Sequence, residues 1–281
     1  MEMKFTKMHG LGNDFILLNC LEEMIDNPSD LAQEMCDRNF GIGADGLVLV
    51  LPSDLAEADF RMRIFNPDGS EPEMCGNAIR CFAKYLYERD LTEKIALNVE
   101  TLAGIIKPKL ILEDGAVELV RVDMGQPRLQ RSEIPMTGEE SDKVVKEPLD
   151  VEGEEFEVTC VSMGNPHCVI FVDDAEEAPV REIGPKIETH ERFPEDINVE
   201  FIEVVNEEEL EMRVWERGAG VTLACGTGAC GSTVAAILND LIDRKVTVHL
   251  LGGDLVIEWA DDNHVYMSGP AAEVFTGDYH I

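Results

Sequence analysis

The sequence predicts an α+β fold of two similar domains, each with mostly antiparallel strands wrapped around one central helix. Three observations predict this class: the chain resembles itself at a nearly constant offset, short β-rich segments are bounded by Gly, Pro or Asp, and each half contains one principal helical pattern. The predicted first domain is 1–122 and the second is 123–269. The C-terminal strand, 270–281, is expected to return to the first domain.

The internal repeat is clearest around two Cys-Gly turns. Met62 and Met212 each lie in a short β-rich segment, Cys75 and Cys225 follow them, and both pairs are 150 residues apart (212 − 62 and 225 − 75). Four further matches occur in the same order: 12–13 with 164–165, 47–50 with 199–202, 103–106 with 252–257, and 124–127 with 267–270. Chance explains one such match but not their common order, so the sequence indicates two structurally equivalent halves.

The individual elements follow from local composition and spacing. Strands are predicted from β-rich runs at 47–51, 61–65, 117–122, 157–161, 212–215 and 246–250. After Cys75, apolar residues at helical spacing predict an amphipathic helix. After Cys225, residues 229–238 are small and apolar on nearly every face, which predicts a helix enclosed by sheet. Shorter helices are predicted at 29–38 and 182–189.

Charge and composition exclude several classes of function. The 281 residues include 57 acidic and 23 basic side chains, a net charge of −34, and such a surface repels phosphate backbones and anionic lipid head groups. We therefore expect no nucleic-acid partner and no membrane partner. No apolar stretch is long enough to span a bilayer, and the N-terminus lacks the pattern of a secretion signal. These features predict a cytoplasmic protein.

The eight cysteines contain no Cys-x-x-Cys pair, so no metal site is predicted. In a reducing compartment they are expected to be free thiols, and most of them to pack as small buried apolar side chains. Cys75 and Cys225 differ from the others because the repeat places each at the start of its half's main helix.

A thiol at a helix start is suited to proton transfer. The first backbone N–H groups of a helix have no intrahelical partner, and the positive end of the dipole lowers a cysteine pKa from about 8.5 to about 3.5–7.5. The glycine after each cysteine lets the backbone approach a carboxylate closely. If two pseudo-symmetric halves close on a cleft, Cys75 and Cys225 lie on opposite faces of one carbon. One thiolate then removes the α-proton and the other thiol returns a proton, with no cofactor.

Polar residues at matching positions predict how the rest of the substrate is bound. The matching pairs are Asn13 with Asn165, Gly46 with Asn198, and Asn66 with Glu216. Arg217, which follows Glu216, is suited to clamp a second carboxylate bidentately, while Glu216 and the asparagine carbonyls are suited to accept from an ammonium group. This set favours a net-neutral diamino diacid.

Two interpretations of His167 stay open. In the segment Gly-Asn-Pro-His it either orients Glu216 or is a satisfied core histidine.

The motifs resemble those of the diaminopimelate epimerase family. They cover nearly the whole chain in the family's order, at 7–15, 65–70, 74–77, 164–167, 216–218 and 224–230. The resemblance implies interconversion of LL- and meso-2,6-diaminopimelate, in lysine and peptidoglycan-precursor biosynthesis. It also implies a cofactor-independent mechanism with two cysteines, commonly in a homodimer.

The resemblance also implies roles for individual residues. Cys75 and Cys225 correspond to the acid–base pair. The implied substrate-binding side chains are Asn13, Asn66, Asn165, Asn198, Glu216 and Arg217, with backbone groups of Gly76, Asn77, Gly226 and Thr227 at the α-carboxylate. The chain departs from the family at Gly46, where some members place a substrate-contacting glutamine, and at 78–80, where Gly-Ala-Arg is frequent.

Two alternatives accompany this interpretation. A proline racemase or hydroxyproline epimerase resembles the chain in fold and paired cysteines, but those proteins usually carry His after the first Cys-Gly, where this chain has Asn77. The second alternative is a thiol redox or metal-binding module built on Cys75 and Cys225. This second alternative predicts that a metal ion or an oxidant promotes the functional state of the protein. The epimerase interpretation predicts instead that oxidation abolishes activity.

Overall fold

The computed structural model describes residues 2–138 and 143–280, and in these ranges strands outnumber helices. In chain order the strands are β1 (Glu2–Gly10), β2 (Asn13–Asn19), β3 (Gly46–Leu51), β4 (Phe60–Phe65), β5 (Val99–Thr101), β6 (Gly104–Ile106), β7 (Lys109–Glu113), β8 (Ala116–Asp123), β9 (Val144–Val151), β10 (Glu154–Ser162), β11 (Pro166–Phe171), β12 (Asn198–Asn206), β13 (Glu209–Glu216), β14 (Gly220–Val221), β15 (Lys245–Leu250), β16 (Gly253–Trp259), β17 (Val265–Gly269) and β18 (Ala272–His280). The α-helices are α1 (Pro28–Cys36), α2 (Gly76–Glu88), α3 (Val180–Glu188) and α4 (Gly226–Leu238). The predicted α+β class is confirmed.

The chain divides into two units, Met1–Asp123 with Ser268–Ile281, and Met124–Met267. In the first unit one sheet has the strand order β18-β1-β2-β3-β4-β5-β6, with β2–β3 and β4–β5 parallel. The C-terminal strand β18 pairs antiparallel with β1. Strands β7 and β8 form an antiparallel hairpin.

Helix α2 packs against β1 and β8 with the face that the sequence predicts. Ile79, Phe82, Ala83 and Leu86 are all buried, because their spacing places them on one side of the helix. Helix α1 buries Leu31, Ala32 and Met35 in a separate core cluster with β1, β2 and β3. The sheet of the first unit is therefore stabilised by two apolar clusters, and Cys75 lies at the first turn of α2.

In the second unit the strand order is β17-β16-β15-β13-β12-β11-β10-β9, and β14 pairs with β13. Strands β11–β12 and β13–β15 are parallel. Helix α4 packs against β10, β11, β12, β15 and β16, and nine of its residues are buried. This agrees with the small, apolar sequence of residues 229–238, since a helix covered on most sides cannot carry charged side chains.

Helix α3 covers the cluster that contains Ile183, Ile187, Phe193 and Phe201. Each predicted strand is present and begins one to three residues before its predicted start, for example at Glu154 instead of 157. The largest difference, three residues, occurs in the hairpins β9–β10 and β12–β13, where Glu154 and Glu155 are exposed and pair through the backbone alone. No helix in the described ranges is long and apolar enough to cross a bilayer.

Candidate active site

Cys75 occupies the N-cap position of α2. Its backbone is extended (φ −140°, ψ 121°), and its carbonyl accepts the first helical hydrogen bond, from the Ile79 N–H at 3.0 Å. Gly76 and Asn77 are the first residues of the helix, so their backbone N–H groups belong to the turn that makes no i−4 bond. A half-buried thiol and the positive end of a helix dipole therefore lie together at this point.

Asn13 connects the Cys75 turn to the strand β2. The Cys75 thiol lies 3.9 Å from Asn13 Oδ1, and Asn77 Nδ2 donates to the same oxygen at 3.1 Å. Asn13 Nδ2 in turn donates to Asp45 Oδ2 at 2.9 Å. The fold thus brings together Cys75, Asn13 and Asn77, and Asp45 fixes which way the Asn13 amide points.

A network of four charged residues holds Asn13 from behind, and our sequence analysis did not predict it. Lys7 lies 2.6 Å from Asp14 Oδ2, and Arg38 Nη2 lies 2.7 Å from both Asp14 Oδ1 and Asp45 Oδ1. Burial raises the pKa of Asp14, but hydrogen bonds from Arg38 and Lys7 outweigh it and hold that pKa well below its usual range. The signal that could have indicated this network is the position of Asp14 next to Asn13 and of Asp45 next to Gly46.

Replacing Asp14 by Asn is expected to lower the free energy of unfolding by about 1.5–3 kcal/mol at pH 7, because two cations lose a charged partner. The folded-state pKa of Asp14 is lowered, so its stabilisation is complete above the ordinary value of 3.8 and is lost as the pH falls below it. Urea titrations between pH 7 and pH 3 check this, with Asp26→Asn, an exposed aspartate, as control. A difference that is independent of pH would contradict the prediction.

Asn66 and Gly46 have different surroundings from Asn13. The side chain of Asn66 donates to Ser70 Oγ at 2.9 Å, inside the turn that follows β4. Gly46 is buried, and a Cβ there would lie 3.1 Å from the Phe65 carbonyl oxygen and 3.3 Å from the Phe15 ring. A longer side chain at position 46 would therefore crowd the Phe65 carbonyl on β4 and the Phe15 ring on β2.

Cys225 occupies the N-cap position of α4, at the place that matches Cys75. It is extended (φ −119°, ψ 106°), buried, and its sulfur accepts from the Gly228 N–H at 3.3 Å. The Thr227 hydroxyl lies 3.6 Å from the same sulfur. This sulfur therefore contacts one N–H group of the helix start directly.

The pKa of the Cys225 thiol nevertheless lies well above its ordinary value. Burial is the largest cause, the carboxyl groups of Glu216 and Glu200 add to it, and the hydrogen bonds from Thr227 and Gly228 oppose it. The expectation that the helix start lowers the cysteine pKa is thus wrong for Cys225, because desolvation of a thiolate and two nearby carboxyl groups outweigh the dipole.

His167 and Asn165 lie next to the Cys225 turn. Asn165 Nδ2 donates to Thr227 Oγ1 at 3.2 Å, and its Oδ1 lies 3.2 Å from His167 Nε2. The other ring nitrogen, Nδ1, lies 2.6 Å from Glu200 Oε1. His167 therefore contacts Asn165 and Glu200, whereas the Glu216 carboxylate accepts from the Thr222 hydroxyl.

The Glu216-Arg217 corner is held from three sides. Asn198 Oδ1 accepts from the Arg217 backbone N–H at 3.0 Å, and Asn198 Nδ2 donates to the Pro166 carbonyl at 2.8 Å. Arg217 Nη1 donates to the Glu195 carbonyl at 2.7 Å.

Glu188, at the end of α3, accepts from Trp215 Nε1 and from the Gly218 N–H, both at 2.6 Å. Asn198 and Glu188 therefore fix both flanks of the corner. Nothing in the sequence near Glu188 indicated this role.

In the ranges 2–138 and 143–280, no group of three or more His, Cys, Asp or Glu side chains is arranged to hold a metal ion. The two turns present thiols, amides, carboxylates and helix N–H groups.

Comparison with known proteins gives one family. The model of the diaminopimelate epimerase family matches residues 5–130 and 159–274. The diaminopimelate epimerase of Pelotomaculum thermopropionicum is 62% identical over 280 residues, which cover 99% of both chains. That of Moorella thermoacetica is 63% identical over 283 residues, covering 99% of this chain and 100% of the relative. That of Methanococcus maripaludis strain C5 is 52% identical over 280 residues, covering 99% and 100%.

Solved structures show the same fold at low identity. A phenazine biosynthesis protein of the PhzF family from Bacillus anthracis has a TM-score of 0.73 and 18% identity, and the match covers 100% of both chains. A hydroxyproline epimerase from Agrobacterium vitis has a TM-score of 0.65 and 14% identity, covering 99% of this chain and 92% of that one. At these identities the likeness extends to the fold alone.

Proposed function

Because the chain belongs to the diaminopimelate epimerase family, we propose that it interconverts LL- and meso-2,6-diaminopimelate by proton transfer between two thiols, without a cofactor. One observation carries the assignment of residues. Each unit presents a cysteine at the N-cap of its main helix, followed by residues whose N–H groups suit a carboxylate. A pair of thiols, one deprotonated and one protonated, suffices to invert a carbon by proton transfer when the two lie on opposite faces of it.

The proposed chemical step begins with Cys75 as thiolate and Cys225 as thiol. The thiolate removes the α-proton, the electron pair of the C–H bond delocalises into the α-carboxylate, and the Cys225 thiol protonates the opposite face of the carbon. Cys75 ends protonated and Cys225 deprotonated, and the reverse reaction restores the first state. The raised pKa of the Cys225 thiol supports this assignment, since a group that holds its proton is suited to be the acid.

The carbanion formed in this step needs charge stabilisation. We assign it to the backbone N–H groups at the two helix starts, at Gly76 and Asn77 and at Gly226 and Thr227. These groups are held in place by the helices before substrate binds, so little reorganisation is required during the reaction. Asn13, at the start of β2, contacts both Cys75 and Asn77 and so fixes the Cys75 turn relative to that strand.

The remaining polar residues are assigned to the distal part of the substrate. Arg217 binds the second carboxylate, and Glu216 accepts from an ammonium group. The amides of Asn66, Asn165 and Asn198 complete the set. The hydrogen bonds of Asn198 and Glu188 around the Glu216-Arg217 corner support this assignment, because a substrate clamp acts best when its backbone is fixed.

The direct test uses the reduced protein, LL-diaminopimelate and deuterated water, followed by NMR. We expect the meso isomer to appear with deuterium at one α-carbon. Proline and hydroxyproline serve as controls and are expected to exchange no α-hydrogen. If diaminopimelate does not exchange, the proposed substrate is wrong. Exchange of proline instead would assign the chain to the activity of its structural relatives.

We further propose that the enzyme is a cytoplasmic homodimer that supplies lysine biosynthesis. None of the eight cysteines forms a disulfide, which supports a reducing compartment. The homodimer rests on the family resemblance, and sedimentation of the purified protein tests it.

A further inference from the structure

The turn that carries Arg217 lies at the surface of the second unit, between β13 and β14. It is closed by the Ala219 N–H, which donates to the Glu216 carbonyl at 3.0 Å. Gly218 in this turn has a φ of +74°, which L side chains rarely adopt. Arg217 and Gly218 are exposed and lie outside the pairing of β13 with β14, so the position of their backbone depends on groups that bind it from outside.

Glu188, the half-buried last residue of α3, binds this turn with its side chain. One carboxylate oxygen accepts from the Gly218 N–H and the other accepts from Trp215 Nε1, both at 2.6 Å. A carboxylate at the C-terminal end of a helix faces the negative end of the dipole, so glutamate is locally unfavourable at this position. A residue that breaks a local rule in this way is explained by the contacts it makes elsewhere.

The main chain of Glu188 binds the loop on the other side of Arg217. The Glu188 carbonyl accepts from the Ile197 N–H at 3.1 Å, which closes the loop between α3 and β12. The same loop presents the Glu195 carbonyl, which accepts from Arg217 Nη1 at 2.7 Å. Glu188 therefore holds both the backbone next to Arg217 and the loop on which the guanidinium rests.

Close packing sets the position of α3 against β13. A Cβ at Gly184 would lie 2.6 Å from Trp215 Cβ, so the helix backbone contacts this side chain without a gap. Glycine weakens a helix interior, and its presence in the middle of α3 indicates that the close approach is required. Glu188 follows Gly184 by four residues, about one helical turn, and so meets the indole N–H of the same tryptophan.

The first unit provides an internal comparison for position 188. Helices α1 and α3 differ by a shift of 152 residues at both ends (180 − 28 and 188 − 36). The buried Cys36 therefore stands where the second unit has Glu188. At the 150-residue shift of the cysteine turns, Pro67 stands where the second unit has Arg217 (217 − 67). The unit with the arginine carries the carboxylate, and the other unit carries a thiol in its place.

The corresponding turn of the first unit is held in a different way. Ser29 Oγ donates to the Gly69 carbonyl at 2.8 Å, and Gln33 Nε2 donates to the Asp68 carbonyl at 3.0 Å. Helix α1 thus donates to its turn, whereas α3 accepts from its turn. Since neutral donors suffice to hold the turn of the first unit, the carboxylate of the second unit indicates a requirement that comes with the arginine.

We propose that Glu188 is a positioning residue that fixes Arg217 before substrate binds and thereby favours substrates with a second carboxylate. The Glu195 carbonyl engages one nitrogen of the guanidinium, so the fork is oriented and keeps further donors for a carboxylate. A side chain that is ordered in advance loses less conformational entropy on binding. The substrate preference rests on the proposed epimerase function, whereas the contacts of Glu188 do not depend on it.

The first test is the steady-state kinetics of Glu188→Gln with LL-diaminopimelate. Glutamine has nearly the same volume but one acceptor oxygen, so either the Gly218 N–H or the indole N–H loses its partner. We expect KM to rise roughly tenfold and kcat to change by less than about threefold. The matched control is Glu182→Gln, an exposed glutamate in the first turn of the same helix, and its KM should equal that of the wild type. A wild-type KM in Glu188→Gln would overturn the proposal.

A double-mutant cycle distinguishes positioning from a merely structural role. Arg217→Ala removes the group that Glu188 positions, so adding Glu188→Gln to it should lower kcat/KM by less than about twofold further. A general weakening of the second unit would instead lower kcat/KM by the same factor in both backgrounds. Additive effects of the two substitutions therefore contradict the proposal.

Hydrogen exchange in the free protein gives a readout that needs no substrate. Gly218 is exposed, so its N–H should exchange rapidly unless Glu188 protects it. Glu188→Ala removes both acceptors and places a good helix former at the end of α3. We expect the Gly218 N–H, followed by NMR, to exchange about tenfold faster in this variant than in the wild type.

Equal exchange rates at Gly218 would show that Glu188 does not hold the turn, and the proposal would be wrong. Failure of the proposed function has a different signature, because the wild type itself would then not exchange the α-hydrogen of diaminopimelate. The Gly218 measurement is unaffected by that outcome, so the two failures are distinguishable.

Discussion

Replacing Cys75 by serine is expected to lower kcat for the epimerisation of LL-diaminopimelate by about 10³-fold, within the range that a positioned acid or base contributes. A serine hydroxyl is a far weaker acid than a thiol. At neutral pH it therefore keeps its proton in this position and cannot act as the base. Because Cys75 is half-buried at an N-cap, where serine is itself a preferred residue, the variant should fold normally. The rate is measured from deuterium incorporation in the same NMR experiment.

The control for this prediction is Cys81→Ala. Cys81 is fully buried in the same helix, and burial raises the pKa of its thiol to about 12, so it cannot serve as a base. We expect Cys81→Ala to retain wild-type kcat. A Cys75→Ser variant with wild-type kcat would exclude the two-thiol mechanism.

Replacing Arg217 by lysine is expected to raise KM for diaminopimelate by roughly 10- to 100-fold with a smaller change in kcat. The loss of a charge-assisted hydrogen bond costs about 1.5–3 kcal/mol, and a lysine cannot reproduce the bidentate fork of a guanidinium. In the free protein one nitrogen of that fork already donates to the Glu195 carbonyl at 2.7 Å, which fixes the position of the side chain. Initial rates at varied substrate concentration measure the effect.

Arg213→Lys is the matched control because Arg213 lies on β13, four residues before Arg217, and pairs with Glu211 at 2.8 Å. Its KM should equal that of the wild type. An unchanged KM in Arg217→Lys would remove Arg217 from the substrate-binding set, and a loss of kcat alone would point instead to a role in the chemical step.

Much of the fold was predictable because its signals are local or repeated. The apolar spacing of Ile79, Phe82 and Leu86 depends only on the helical period, and all three are buried as expected. The repeat added long-range information, since it placed Cys75 and Cys225 at equivalent turns before any contact was known. Both are N-caps of the helices that the spacing predicts.

The surroundings of the candidate site were less predictable. Asp45 and Glu188 bind residues that are 32 and 30 positions away in the chain, at Asn13 and Gly218. A glutamate or aspartate in a polar stretch has no periodicity that distinguishes a hydrogen-bond partner of the backbone or of another side chain from a solvated charge. Such contacts are visible only when the strands and helices that carry them are packed.

By itself, the sequence determined the α+β class, the duplicated pattern, the positions of the main helices and the two Cys-Gly turns, because periodicity is a local signal and a repeat can be read by comparing the chain with itself. The tertiary structure alone decided that His167 contacts Glu200 and that the Cys225 pKa is raised while its helix start alone would lower it. The physical reason is that a pKa depends on desolvation and on charges brought close by packing, and neither quantity is encoded at any single position of the chain.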